Sequence, residues 1–347
     1  MNTFKISLIA ALCTAALLLS ILLWHSISSG TAHIHTNAYH SMVQEKEFPA
    51  EGISSLDIKY RNFMDVTFYE APGDTIIVRE YLNYTPSDKE LSSVRTNGSS
   101  LVVESPRTSF FSSAFFHPDG YAEIYLPAAL CESLSSLHVQ TVSGEMCSEI
   151  PFTLSNDFSA SSVSGDIRLT SVSAESIRLS SVSGGISAKL LSGESDVSTT
   201  SGDIRINSVE KKVDISTVSG DARIHLLNAP FCFNTTSGSI SVESGAGSGK
   251  ANSVSGDIKL LLDELNGSLS LHTTSGGIDL SLPETASFAL SFSSTSGRCN
   301  TFFDDTLSYN KKGTQAKGQY GGSSDNKLTV STTSGDLRIT RSHPKVD

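Results

Sequence analysis

A short phrase, Ser-Gly most often followed by a small or acidic residue, recurs ten times from residue 144 onward, and it restricts the possible folds more than any other feature. It runs from "TVSGEM" through "SVSGDI", "TTSGDI" and "TVSGDA" to "TTSGDL". Its glycines are Gly144, Gly165, Gly184, Gly202, Gly220, Gly238, Gly256, Gly276, Gly297 and Gly335, separated by 21, 19, 18, 18, 18, 18, 20, 21 and 38 residues. Four successive steps of 18 are the mark of a structural repeat, and the last gap holds about two periods with an insertion.

Each copy reads as strand, turn, strand. In "KKVDISTVSGDARIHLL", Val213, Ile215 and Thr217 alternate with Asp214 and Ser216. After the turn, Ala222, Ile224 and Leu226 alternate with Arg223 and His225. This period of two gives one inward and one outward face. A second turn signal falls midway, as in "NSVEKK", "LLNAP" and "DELNGS". One such pair of strands cannot bury its own apolar face, so successive coils must stack, each strand pairing with the next coil at about 4.8 Å. The expected fold is all-β: a parallel β-solenoid of about ten coils, each of roughly 18–21 residues. A globular sandwich does not explain a fixed turn at a fixed separation.

The corner residues are the candidate structural ladder. Glycine suits a turn by tolerating positive φ, and the serine before it offers a hydroxyl to nearby backbone. In five copies the glycine is followed by Asp and, two residues later, by a base: Ser164, Gly165, Asp166 and Arg168; Ser201, Gly202, Asp203 and Arg205; Ser219, Gly220, Asp221 and Arg223; Ser255, Gly256, Asp257 and Lys259; Ser334, Gly335, Asp336 and Arg338. Residues two apart share a face, so acid and base form adjacent outward columns that pair and disfavour slipped registers. The other reading of the acidic column is calcium between coils. That chemistry goes with a denser glycine run on a nine-residue period, absent here, so ion pairing is the expectation.

The N-terminus carries Lys5 and then the uncharged run "ISLIAALCTAALLLSILLW", residues 6–24. Its length nearly spans a hydrocarbon core of about 30 Å and exceeds the usual signal-peptide core of about 7–15 residues. Residues 1–29 are therefore expected to be one transmembrane anchor, N-terminus cytoplasmic and the rest outside. Cleavage near Ser28 or Ala32, giving a secreted protein, is the alternative. Residues 30–45 read as a spacer. Its His33, His35 and His40 are an exposed-linker cluster rather than a metal site. Residues 46–130, with "LDIKY", "MDVTFYE", "TIIVREYL", "LVVES" and "YAEIYLP", read as an irregular β-rich cap; residues 131–341 hold the repeats, with a loop insertion at 300–327. Cys131, Cys147, Cys232 and Cys299 form no CxxC and are expected as small buried hydrophobes, Cys131–Cys147 being the one pairing to check.

An N-terminal apolar run, a β lead-in ending in "IYLP", the "VSGDIRL" and "TTSGDIRI" repeats and a last "LTVSTTSGDLRIT" after a Gly-rich segment together resemble the DUF4097 group of bacterial adhesin-like β-strand repeat proteins, over roughly residues 46–341. The resemblance implies a β-solenoid in the bacterial envelope and no catalytic residue.

Chemistry is otherwise sparse. No HExxH, GxSxG, P-loop or dinucleotide fingerprint is present. Asp263-Glu264 and Asp304-Asp305 are the tight acidic pairs of the repeat region, and both fall in expected corners or the insertion. With 25 Lys+Arg against 36 Asp+Glu and a net charge of −11, nucleic acid is not an expected partner. The reading is a non-enzymatic envelope scaffold or adhesin without cofactor, tethered by its N-terminal helix and meeting an unidentified protein or polysaccharide outside the cell. A polysaccharide-active enzyme on a β-helix and an accessory of an envelope-stress signalling system are the alternatives.

Overall fold

The alternation in "VDIST" and "ARIHLL" becomes two strands, Val213–Thr217 and Ala222–Leu227, in which Val213, Ile215, Ala222 and Ile224 are wholly buried, while at the strand's end Leu227 is buried and Leu226, expected inward, is only half-buried. The computed structural model describes residues 40–61, 63–106, 119–303, 306–322 and 324–342. Among the described residues nearly all regular structure is strand, in one continuous sheet system of 27 strands, with one helical turn at Ala128–Cys131. The apolar run 6–24 lies outside the described residues, and among the described residues no helix is long and apolar enough to cross a membrane.

Through the centre of the repeats the coils stack in sequence order and in parallel. The steps of 18 seen in the sequence are the pairing register: Ile186 faces Ile204, Ile204 faces Ala222, Ala222 faces Ile240 and Ile240 faces Ile258. On the opposite wall Val197 faces Ile215 and Ile215 faces Phe233. The shaft between the walls is filled by Ile, Leu, Val and Phe, with Phe231 and Phe233 stacked at 4.7 Å. Full burial of one such side chain is worth about 1.5–3 kcal/mol, repeated at every rung. Two short strands per coil is not general. Ile167–Ser181, Ile186–Thr199 and Ile240–Ser253 run unbroken through the second corner as strands of 15, 14 and 14 residues.

The two ends depart from sequence order. At the N-terminal end, Ser55–Tyr60 lies in parallel between Ser100–Glu104 and Ser136–Thr141, and Phe63–Glu70 lies between Asp119–Leu126 and Met146–Ser148. The first coil thus lies between two later ones. At the C-terminal end, Lys327–Thr332 lies between Glu264–Thr273 and Phe288–Ser294, and Leu337–Arg341 between Ile278–Leu282 and Cys299–Thr301. The last coil has been inserted between two earlier ones.

Antiparallel strands then flank both ends. Thr75–Leu82 pairs with Asp119–Leu126 and Ser41–Pro49, and Ser93–Asn97 pairs with Ser100–Glu104. At the other end Gln315–Tyr320 pairs with Phe288–Ser294 and with Leu307–Tyr309. Residues 300–327, expected as a loop, therefore supply two strands of the C-terminal closure. The physical reason is the exposed sheet edge that any solenoid end leaves, which a reversed strand covers.

Candidate functional site: the corner ladder and the outward faces

The ten corner glycines stand one above another, for a reason other than turn conformation. None of them has positive φ; Gly52, Gly98, Gly245, Gly267, Gly313 and Gly321 do. What glycine supplies is space. A Cβ on Gly220 would overlap the carbonyl of Gly202, one on Gly238 the carbonyl of Gly220, and the same holds from Gly165 on Gly144 to Gly276 on Gly256. The end of the ladder repeats the out-of-order topology, with Gly335 on Gly276 and Gly297 on Gly335.

The hydroxyl that ties each corner belongs to the residue three before the glycine, which the sequence analysis did not single out. Thr217 Oγ1 accepts the Gly220 N–H at 3.0 Å, and Ser162, Ser181, Thr199, Thr235, Ser253 and Thr273 do the same for their own glycines at 2.8–3.1 Å. Several of these hydroxyls also donate to the glycine carbonyl of the preceding coil, Thr199 to Gly184 at 3.2 Å and Thr273 to Gly256 at 3.4 Å. All seven are buried. The signal was in the sequence: every copy of the phrase has Thr or Ser at this position. The serines next to the glycines are exposed, and their backbone N–H groups bond the preceding rung: Ser164 to Val142, Ser201 to Val182, Ser219 to Thr200, Ser255 to Thr236 and Ser334 to Thr274, at 2.9–3.0 Å. Ser334 Oγ also donates to the Thr274 carbonyl at 3.3 Å.

The aspartates tie coils together through backbone as much as through ion pairs. Asp166 accepts the Gly185 N–H, Asp203 that of Asp221, Asp221 that of Ser239, Asp257 that of Gly277 and Asp336 that of Arg298, all at 2.7–2.9 Å. The expected acid–base pairing forms in two of the five copies among the described residues. Arg168 meets Asp166 at 3.0 Å, and also Glu145, while Arg205 meets Asp203 at 2.7 Å. Arg223, Lys259 and Arg338 are exposed on the same face. In both paired copies one oxygen of the aspartate holds the adjacent rung and the other meets the arginine. Where coil 184 carries Gly185 and Ser187 in place of acid and base, the face dips into an open depression of about 390 Å³ bordered by Arg168, Lys189 and Arg205.

The other candidate groups have structural places. Asp263 accepts from Ser244 Oγ at 2.6 Å and the Gly245 N–H at 3.0 Å, which fixes a corner; Asp304, Asp305, Cys13, His33 and His35 lie outside the described residues. His40 packs edge-on against Tyr121 at 5.6 Å. Among the described residues Cys131 and Cys147 form no disulfide, so the pairing to check is not made. Cys131 and Cys299 are buried, but Cys147 and Cys232 are half-buried on outward faces, unlike the expectation. Burial pushes the Cys131 thiol up to about 11.

A feature with no counterpart in the repeats lies on the outward side of the N-terminal cap. Antiparallel and parallel pairing brings Tyr81, Tyr121, Tyr125 and Tyr69 onto one face around Glu123. Tyr81 and Tyr121 stack at 4.5 Å and 12°, Tyr69 and Tyr125 at 5.3 Å and 28°. Tyr125 Oη donates to Glu123 at 3.0 Å, and the Arg79 guanidinium sits 5.0 Å above the Tyr125 ring. Burial, then the Glu123 charge, push the Tyr81 hydroxyl up to about 12 and raise those of Tyr69, Tyr121 and Tyr125. All four phenols are therefore neutral donors at physiological pH.

Comparison with known proteins follows this geometry. No curated protein matches the chain. Among solved structures, similarity extends to a protein from Parabacteroides distasonis named "putative lipid binding protein" (12% identity, 86% of this chain and 96% of that one, TM-score 0.38). It extends also to a "putative adhesin" from Parabacteroides merdae (7%, 85% and 95%, 0.37) and a "putative cell adhesion protein" from Clostridium sporogenes (10%, 88% and 100%, 0.23). The Toastrack DUF4097 family matches residues 53–229 and 231–340, which is most of the chain and all of the corner ladder from Gly144 to Gly335. The chain is a member of the Toastrack DUF4097 family.

Proposed function

We propose that this protein is a non-enzymatic β-solenoid of the bacterial cell envelope, held at the membrane by residues 1–29 and presenting its outer faces to a partner outside the cell. The observation that carries the reading is the filled shaft on a tied corner. Ile, Leu, Val and Phe occupy the interior at close to zero exposure, while the glycine, hydroxyl and aspartate ladders fix each rung to the next. Such a body meets a ligand from the outside, with side chains held in straight rows about 4.8 Å apart. The family resemblance to adhesin-like proteins and the apolar run 6–24 support the same location.

The test has two arms. Intact cells carrying the full-length protein with a C-terminal tag are treated with protease, and attachment to surfaces is measured with and without the gene. The reading predicts a cleavable tag and weaker attachment on deletion. A protected tag, or unchanged attachment and unchanged envelope integrity, contradicts it.

A further inference from the structure

The tyrosine face differs from the repeat faces in its charge as well as its rings. At the repeat corners, the outward aspartates are matched by Arg168 and Arg205 or engaged with backbone. On the cap, Arg79 is taken by Glu45 at 2.6 Å, and among the described residues Glu47, Glu123 and Glu149 form no ion pair with a basic side chain. Register places Glu47 beside Ile77 and Tyr125, and Glu149 lies close enough to Tyr69 to raise its phenol. Aromatic faces flanked by carboxylates without a cationic partner suit a guanidinium or ammonium group, which gains cation–π attraction and a charge-assisted hydrogen bond together. Arg79 over Tyr125 is an internal instance of that contact.

We propose that the outward face formed by Tyr69, Tyr81, Tyr121, Tyr125, Glu123 and Glu149 binds a basic polypeptide segment through its Lys and Arg side chains. Charge complementarity selects this partner: the unpaired carboxylates repel anionic lipid surfaces and acidic glycans. Spacing argues for an extended chain over a single ion. Glu47 and Glu123 stand two strands apart, as do Glu123 and Glu149, and two strand spacings are about 10 Å. An extended segment rises about 3.3 Å per residue, so a base at about every third residue meets successive carboxylates. The proposal names a partner for the outer surface described above, but it is tested in solution and can stand or fall independently of where the protein resides.

The experiment titrates full-length protein with a fluorescent peptide carrying Lys at every third position in a Ser/Gly background. The comparisons are an acidic peptide of equal length and vesicles containing anionic lipid. The expected result is saturable binding of the basic peptide alone, weakened by added salt. Glu123→Gln is expected to lower affinity about 5–20-fold, as loss of one close charge pair does. Glu149→Gln is expected to do the same to a lesser degree, and provides the readout should Glu123→Gln fail to fold. Lys259→Gln, on the repeat face away from the depression that Glu149 and Arg205 share, should leave affinity within about twofold, since it lies outside the proposed contact. No saturable binding, equal binding to folded Glu123→Gln and wild type, or preference for the vesicles would overturn the proposal.

Discussion

The middle of the rod and its two ends are built from the same strand pairs, yet they are ordered differently. Between Gly165 and Gly276 each coil rests on the one before it in sequence, so its contacts span about one period. At the ends the partner comes from far away: Ile278 pairs with Leu337, and Leu56 with both Leu101 and Leu137. Local stacking can propagate rung by rung, while an inserted coil must close a long loop before it gains any pairing. The middle is therefore modular and the ends are locks.

Coil removal sharpens that contrast most. Deleting residues 203–220 in frame joins Gly202 to Asp221, preserves the phrase and brings two compatible rungs together. The shortened protein is expected to fold cooperatively with a modestly lower denaturation midpoint. Deleting residues 327–347 removes the strands to which Phe288–Ser294 and Cys299–Thr301 pair in parallel. Hydrogen exchange of residues 288–301 should then approach unprotected rates, and the midpoint should fall much further. Equal losses from the two deletions would erase the distinction between module and lock.

At the level of single residues, Gly220→Ala forces a methyl into the Gly202 carbonyl and should cost about 3 kcal/mol or more in chemical denaturation. Gly73→Ala, with open space around it, should stay within about 0.5 kcal/mol. Thr217→Val leaves the Gly220 N–H buried without its acceptor and should cost about 1–3 kcal/mol, whereas Ser219→Ala at the exposed neighbouring position should stay near zero.

How far these features were legible in the sequence follows from the same contrast. Every central rung sees the same surroundings, so spacing, register and the inward aliphatics could be read from Val213, Ile215, Ala222 and Ile224 alone. The role of glycine was misread, because the constraint is a neighbour's carbonyl two strand-ends away and not its own φ. The hydroxyl ladder was written in every copy but hidden by the more frequent Ser-Gly beside it. The end coils were illegible for a different reason. "TTSGDL" has the same corner chemistry as the other copies, so nothing local says that Gly335 rests on Gly276 instead of Gly297. Likewise "TFYE", "REYL" and "YAEIYLP" announce strands with alternating tyrosines, but only cross-strand pairing reveals that four rings share one face.

Two smaller effects separate cap from repeat. Cys131 and Tyr81 both hold their protons above the ordinary thiol and phenol values, up to about 11 and about 12. Because the unfolded chain releases these protons first, their contribution is intact below the unfolded values of about 8.5 and about 10 and is lost as pH climbs through the folded ones. Denaturation midpoints should thus decline in alkaline solution, and decline less in a Tyr81→Phe variant; an identical decline in the variant and the wild type would contradict this. Least of all, Arg205→Ala on the exposed repeat face should cost about 0.2–1 kcal/mol by denaturation.

The order of the last three rungs can be tested directly by oxidative cross-linking of engineered cysteine pairs in the full-length protein, mapped by peptide analysis. Adjacent corners lie within disulfide reach and corners two rungs apart do not. The structure predicts efficient bridging of Ser275→Cys with Ser334→Cys and of Ser296→Cys with Ser334→Cys, and none between Ser275→Cys and Ser296→Cys. A bridge between 275 and 296, with 334 left free, would mean that the coils stack in sequence order and that the inserted coil does not exist.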